Sequence, residues 1–469
     1  MFIKKGIIFS DMVLPDSNNI PPEILSFFRE NVGEILLVKG PPGSGKTLFG
    51  LECMKNLCRK QKGVAIFTRM DSDQLNAEMP WLKKEEISSN IRSFHQNDRI
   101  SDPNWFKREF DAVRNTEKET PMGFMLMDTI DAITEQYEKP ERKMKEIVSL
   151  IQSTNVSAIM VQEEESVTYL DHLAGGVVRI KFNKVDGRMY RSLAIEKLRG
   201  VEMSNMDYLI TLHGGTFRAF RPWKPREAPK GEWVPIDDTD DHFSTGLEDL
   251  DEILGGGYKK GSYNILDIDD TVTSMEYMLI LRPILLNFIH HRYGVVMVPP
   301  AGEHPESIRD DLRYYLDEDS LDRYLYFLDY FSSSASKPYI IPMGAGRRDG
   351  TVQQRGMEII QKLRGKEHKP YIDFVGLDTM EYYMGESITL KHLLTGVSKA
   401  KVTKTLGIGL SKPGLKIDQG IRNMSDVYLK MIKINSVPCF YGVKPQTGIF
   451  AIMPDPEHGY PNLEIVPLT

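Results

Sequence analysis

The sequence predicts an α/β protein of two tandem domains, each a mostly parallel sheet flanked by helices and closed by a C-terminal β-hairpin. Three observations carry this. Short apolar runs alternate with amphipathic helical stretches, the pattern of parallel strands joined by crossover helices. A stretch rich in proline and charge divides the chain near its middle. The half after it repeats the order of the half before it. Domains are expected at 1–220 and 244–469, with a linker at 221–243.

Each element follows from local pattern. Glu34–Lys39 (EILLVK) is a short apolar run, read as a buried strand. Leu48, Leu51, Met54 and Leu57 recur every third residue, so a helix comes next. Val64–Thr68, Phe124–Met127 and Ala158–Val161 read as further strands, with helical Arg142–Gln152 between the last two. Val177–Phe182, the turn Asp186–Gly187 and Met189–Lys197 read as a hairpin. Residues 221–243 (RPWKPREAPKGEWVPIDDTDDHF) carry four prolines and no apolar period. In the second half, FVGLDTMEYY around Asp378 answers FMLMDTIDAI around Asp128, Leu406–Leu410 answers Ala158–Gln162, and Val427–Ile434 with Phe440–Val443 answers the hairpin.

Composition sets outer bounds. With 469 residues, 41% apolar and 27% charged, the chain is ordinary globular material. At about 100–200 residues per domain, two domains are the simplest fit. The 59 basic and 66 acidic side chains give a net charge of −7. A surface that coats nucleic acid all round is usually basic, so that class is disfavoured while a local basic patch stays open. Three cysteines exclude a disulfide framework. Cys53 and Cys58 on a predicted helix and Cys439 in a predicted strand are expected to be buried reduced thiols. His290–His291 reads as a helix end rather than a metal ligand pair. The longest apolar run, Met278–Ile289, contains Arg282 and Pro283 and falls short of a membrane span. A soluble cytoplasmic protein is expected.

The chemistry is concentrated in residues 40–47, Gly40-Pro41-Pro42-Gly43-Ser44-Gly45-Lys46-Thr47. This matches the phosphate-binding loop G-x-x-x-x-G-K-[ST], between a predicted strand and a predicted helix. Gly43 and Gly45 permit a turn tight enough for successive backbone N–H groups to point inward, and the helix N-terminus adds partial positive charge. Lys46 is expected on the β- and γ-phosphates of ATP and the Thr47 hydroxyl on Mg²⁺. The expected partner is an acid ending a nearby apolar strand, and Asp128 fits that place. Asp131, one turn on, is expected to be solvated or capping.

Further residues carry a family resemblance. Ser244–Ser262 (STGLEDLDEILGGGYKKGS) resembles the opening segment of domains in the KaiC/RadA branch of RecA-like ATPases. Gly176–Gly200 (GVVRIKFNKVDGRMYRSLAIEKLRG) resembles the hairpin and K-L-R-G ending of KaiC domains. The opening IPPEILSFFRENVGEILLVKG is similar to archaeal KaiC-like proteins of the GvpD gas-vesicle regulator type. The resemblance implies two tandem RecA-like P-loop domains in a ring-shaped homo-oligomer, such as a hexamer, with ATP between subunits. It implies that Lys197 and Arg199 reach a neighbour's phosphates, and that Gln162 matches a polar sensor position.

There are departures. The family places an activating glutamate after the second strand, and this chain has Arg69 and Met70 there, with Asp71 the nearest carboxylate. In the second half, Asp267-Ile-Asp-Asp-Thr-Val-Thr-Ser274 stands where a phosphate loop belongs; its glycines are gone and Ser274 replaces the lysine. Three aspartates there would repel phosphates. The K-L-R-G counterpart is Lys444-Pro-Gln446-Thr, so the arginine is lost too. The second domain is therefore read as a pseudo-ATPase. Gly344–Arg355 (GAGRRDGTVQQR) is read as a solvated loop, and the aromatics Tyr314-Tyr315 and Tyr324–Phe331 as a half-buried helix and strand. The expected function is a Mg·ATP-binding, slowly hydrolysing regulatory ATPase with ATP in the first domain, with a regulatory protein as a conceivable partner. The rivals are a DNA recombination or helicase motor and a non-hydrolysing nucleotide-sensing scaffold.

Overall fold

A computed structural model describes residues 19–57, 62–67, 91–95, 122–134, 137–154, 156–163, 166–223, 233–331, 337–343, 351–455 and 458–469. The chain divides into two compact units, Met1–Pro222 with Leu468–Thr469, and Trp223–Pro467.

The first unit is built on a nine-stranded sheet. Its strands are β1 (Ile35–Lys39), β2 (Lys62–Phe67), β3 (Ile91–His95), β4 (Met122–Asp128), β5 (Ser157–Gln162), β6 (Gly176–Val185), β7 (Arg188–Leu198), β8 (Asp207–Thr211) and β9 (Arg218–Phe220). They lie in the order β3-β2-β4-β5-β1-β6-β7-β8-β9. Neighbours from β3 to β6 are parallel, and β6 to β9 are antiparallel. Every residue of β1 is buried, as a strand covered on both faces requires. Leu36 and Val38 face a core that includes Phe49 and Met54 of the helix Lys46–Leu57, while Ile35 and Leu37 face one formed with Ile147 and Ile151 of the helix Pro140–Ser153. The β6–β7 turn is Asp186–Gly187, both at positive φ, as a two-residue hairpin of this hand demands.

The second unit has a small ribbon, β10 (His242–Phe243) with β11 (Tyr258–Lys259), and a ten-stranded sheet. The latter contains β12 (Tyr263–Ile268), β13 (Gly294–Val298), β14 (Leu325–Asp329), β15 (Ile340–Pro342), β16 (Tyr371–Gly376), β17 (Leu406–Ser411), β18 (Val427–Ile434), β19 (Val437–Lys444), β20 (Ile449–Pro454) and β21 (Leu463–Pro467). Beyond the edge strand β15, the order β14-β13-β16-β17-β12-β18-β19-β20-β21 repeats that of the first sheet strand for strand. Its first strand again lies in the middle, between two parallel neighbours.

Residues read from the sequence as linker make contacts within the second unit. Trp223 donates its backbone N–H to Ser436 and its indole N–H to Tyr460. Ile236 exchanges two hydrogen bonds with the Asn287 amide, and Phe243 is buried. Apolar Trp223, Trp233 and Phe243 give this proline-rich stretch something to bury. Cys53 and Cys439 are buried, whereas Cys58 lies outside the described residues. Residues 344–350 also lie outside them, and Thr351–Arg364 is a helix. His290 ends the helix Ser274–His290, and the His291 ring meets the Asn287 carbonyl at 2.8 Å. Among the described residues, no helix is long and apolar enough to cross a membrane.

Candidate functional site

β1 ends at Lys39 and the next helix starts at Lys46, so Gly40–Gly45 must turn the chain within six residues. The backbone explains the glycines. Gly43 and Gly45 sit at φ 73° and 103°. A Cβ on Gly40 would fall 2.5 Å from the Ile180 carbonyl oxygen, and one on Gly45 2.8 Å from Leu212. Pro42 and Gly43 are exposed at the crest, while Ser44 is buried with its hydroxyl lacking a hydrogen-bond partner. The Ser44 N–H closes the turn on the Pro41 carbonyl at 3.2 Å.

Lys46 is 5% exposed, and its amine donates to the carbonyls of Gly40 (2.7 Å) and Pro41 (2.8 Å). These bonds hold the ammonium over the loop. The Thr47 hydroxyl donates to Asp128 Oδ2 at 2.5 Å. A hydroxyl and a strand-end carboxylate are thus brought together from positions 81 residues apart. Oxygen donors of this kind suit a hard cation such as Mg²⁺. An orphaned buried hydroxyl, a poised ammonium and a hydroxyl–carboxylate pair fit a Mg-bound polyphosphate.

Gln162, at the end of β5, is 4% exposed. Its amide donates to Asp131 Oδ1 (3.0 Å) and accepts from the Thr168 hydroxyl (3.1 Å). Asp131 also accepts the Glu163 N–H, so it anchors the end of β5 instead of standing in solvent. Arg69, Met70 and Asp71 lie outside the described residues.

Lys197 and Arg199 stand elsewhere. The Arg199 N–H bonds Gly175, and Leu198 pairs with Gly176, which is opposite Leu36. Leu36 is four residues before Gly40, about 13 Å along a strand. Arg199 therefore lies at the sheet end opposite its own chain's loop. The Lys197 amine donates to the carbonyls of Asp171 (3.0 Å) and Ala174 (2.6 Å), around the end of the helix Tyr169–Leu173. Burial, then the Arg199 charge, lowers the pKa of this amine against the pull of Glu34 and Asp171. Arg199 reaches the His172 carbonyl at 3.4 Å.

Two residues near the loop were missed by the sequence pattern. Arg191 of β7 lies over the Phe182 ring, with its guanidinium 3.4 Å from the Gly43 carbonyl and its Nε buried without a partner. Lys39 is fully buried, and its amine donates to Ser166 O (2.5 Å) and Asp171 Oδ2 (2.9 Å). Only the hairpin cation density and a lysine at the end of a buried strand hinted at them.

The corresponding place in the second unit is built differently. β12 runs through Ile268, so Asp267 belongs to the strand; the loop holds two aspartates, Asp269 and Asp270, rather than three. Burial pushes the Asp267 carboxyl pKa up, although the Tyr428 hydroxyl bonds it at 2.9 Å. The loop closes on itself through Asp269 and Thr271. The helix that follows is capped by its own Thr273 and Glu276, and Glu276 pairs with Lys433 at 2.8 Å. Asp378 sits in the first turn of the helix Leu377–Met384, not at the strand end, and is held by Lys412 at 3.2 Å. Lys444 repeats the role of Lys197, donating to the Arg422 and Ser425 carbonyls around a helix end.

A loop of this geometry at the end of a central parallel strand defines a P-loop protein of the ATPase class. Comparison with known proteins agrees: residues 29–217 match the KaiC family of ATPases, and residues 232–341 match GvpD basic region 2. GvpD2 of Halobacterium salinarum is 23% identical over 486 residues, covering 95% of this chain and 96% of that protein. GvpD1 of the same organism is 27% identical over 332 residues, 66% of this chain and 62% of that protein, so the chain spans less than two thirds of GvpD1. A UPF0273 protein of Aeropyrum pernix is 22% identical over 194 residues, 36% of this chain and 78% of that protein. The chain is thus a GvpD homologue, a KaiC-like ATPase domain followed by a GvpD basic region. In this sequence, the stretch 232–341 holds 8 Lys and Arg against 22 Asp and Glu, so it is acidic.

Proposed function

We propose that the protein binds Mg·ATP on the first unit's phosphate loop and hydrolyses it slowly, as a regulatory ATPase of two tandem RecA-like domains. The observation that carries this is the convergence of Lys46, Thr47 and Asp128 on one loop whose buried hydroxyl and amine suit phosphate oxygens. When bound, Mg²⁺ supplies charge neutralisation between the phosphates. Lys46 would hold the terminal phosphates, Thr47 and Asp128 would hold the cation or its water, and Gln162, at the end of β5, is the proposed nucleotide sensor. Asp71 remains the candidate base. Lacking a glutamate there, turnover is expected below about one per second, against roughly 1–10³ for typical enzymes.

The second unit is proposed as a pseudo-ATPase domain. Its helix N-terminus is capped by Glu276, which puts a carboxylate where phosphate would lie, and its Asp378 is paired with Lys412, so both disfavour phosphate and metal there. Arg199 is proposed to act across a subunit boundary in a homo-oligomeric ring, because its own loop lies at the far end of the sheet. Lys197 supports that segment: the same carbonyl contacts recur at Lys444, in a unit without a phosphate loop. The acidity of 232–341 argues against a DNA motor.

The test is mixing. Arg199→Ala subunits combined with Lys46→Ala subunits should regain turnover, as an intact loop meets an intact arginine. No recovery in demonstrated mixed oligomers would place Arg199 outside the reaction. Calorimetry should find one nucleotide per chain, and two would overturn the pseudo-ATPase reading.

A further inference from the structure

Polar contacts and the short chain segments between them join the two ends of the first sheet. At the loop end, the Gly40 carbonyl holds the Lys46 amine, and the preceding residue is Lys39. The Lys39 amine, fully buried, turns away from the loop onto Asp171 Oδ2. Asp171 also accepts the Thr168 N–H (2.7 Å) and hydroxyl (2.9 Å), which caps the helix Tyr169–Leu173. Thr168 in turn holds Gln162. At its other end, the same helix presents the carbonyls of Asp171, His172 and Ala174 to Lys197 and Arg199. One five-residue helix is therefore fastened at its start to the strand that feeds the phosphate loop, and at its finish to the K-L-R-G segment.

The second unit supplies a comparison within the chain. Lys39 pairs with Gln162 at the end of β5, and Asp267 pairs with Ser411 at the end of β17, so Asp267 occupies the register of Lys39. It reaches the corresponding helix, Asp418–Met424, through the Tyr428 hydroxyl, which bonds Asp267 (2.9 Å) and Asp418 (3.2 Å). The unit with a phosphate loop uses a lysine–aspartate ion pair here, and the unit without one uses a tyrosine between two carboxyls. A fold requirement alone would be met by either.

We infer that Lys39 is a positioning residue which, through Asp171, couples nucleotide occupancy of the phosphate loop to the placement of Lys197 and Arg199. Filling the loop draws the Lys46 amine from the Gly40 carbonyl toward phosphate, which shifts the end of β1. The buried ion pair carries that shift to the helix, because a desolvated charge cannot be left without its partner. Occupancy of one site thus adjusts the arginine offered to the next. This rests on the reading of Arg199 as acting between subunits, but the coupling itself is measurable inside one chain.

The test is hydrogen exchange of the full-length protein with and without ATP and Mg²⁺, on wild type, Lys39→Met, Lys39→Arg and Asp171→Asn. ATP should slow exchange in residues 166–176 and 197–200 of wild type. In Lys39→Met and Asp171→Asn the ATP-dependent slowing there should fall roughly fivefold or more, the lower bound of ordinary site-to-site coupling. ATP affinity should stay close to wild type, since the Lys39 side chain faces away from the loop. Lys39→Arg should restore part of the response. An unchanged response in variants that bind ATP would overturn the inference. Should either single variant misfold, the double variant Lys39→Met with Asp171→Asn, which leaves no buried charge unpaired and keeps a capping acceptor, decides the matter. Wild type that fails to bind ATP would defeat the parent reading and this one together. A normal exchange response with failed subunit mixing would defeat only the action of Arg199 between subunits.

Discussion

Replacing Lys46 by methionine removes the ammonium while keeping a chain of similar length. In the structure, that ammonium donates hydrogen bonds to the neutral carbonyls of Gly40 and Pro41. Nucleotide binding therefore exchanges bonds instead of adding them. The net gain comes from replacing neutral carbonyls by phosphate oxygens that carry charge. With the bonds to neutral carbonyls counted at about 0.5–1 kcal/mol each and those between charged partners at about 1.5–3 kcal/mol each, an exchange of two leaves roughly 2–4 kcal/mol. At about 1.4 kcal/mol per decade, Lys46→Met should weaken Mg·ATP binding by roughly 30- to 700-fold. The nucleotide-free protein should lose only about 1 kcal/mol, because Ser44 still closes the turn on Pro41. Titration calorimetry with Mg·ATP, alongside urea unfolding of both proteins, reads both quantities. A folded variant whose affinity lies within about threefold of wild type would refute the assignment of Lys46 to phosphate.

Gly45→Ala places a Cβ at φ 103° and 2.8 Å from Leu212, so it should destabilise the first unit by about 1–3 kcal/mol in urea unfolding and weaken ATP binding; an unchanged midpoint would contradict the backbone argument. Burial pushes the Cys53 and Cys439 thiols up, so a thiol reagent at neutral pH should label neither until the protein unfolds, as peptide mapping will show. Burial opposes the Asp171 charge, but the Lys39 and Thr168 donors outweigh it and hold the carboxyl below the usual carboxylate range. Its contribution to stability is therefore full above the unfolded value of about 3.9 and fades as pH falls through the lower folded value. The stability difference between wild type and Asp171→Asn should be constant near pH 6 and shrink below about pH 4; a difference independent of pH would disprove the ion pair.

Local pattern reported what local pattern controls. The loop was legible because its glycines are demanded by the path of the backbone, as Gly40 against Ile180 illustrates. The hairpins were legible because Asp186–Gly187 is a short-range turn signal. Asp128 was legible because an acid after an apolar strand is itself a pattern. Lys39 and Asp171 were not, since their partnership spans 132 residues and each alone reads as a surface charge. Arg191 was hidden for the same reason: only the fold brings it to Gly43, 148 residues away. Asp131 read as solvated or capping because nothing local reveals that β5 ends beside it. Trp223, Trp233 and Phe243, scattered among the four prolines of 221–243, were not legible as core because only the fold packs them within the second unit.

The Thr273–Glu276 cap has a consequence for how the chain melts. A helix capped by its own side chains gains little from an anion at that end, so the second unit's stability is expected not to depend on nucleotide. The first unit's loop instead gains from whatever fills it, by about 2.7 kcal/mol at a ligand concentration 100 times its dissociation constant. Heated with increasing Mg·ATP, one transition should climb and the other stay fixed. Local opening, proteolysis and turnover of the first half would then follow the nucleotide level, while the second half stays indifferent to it.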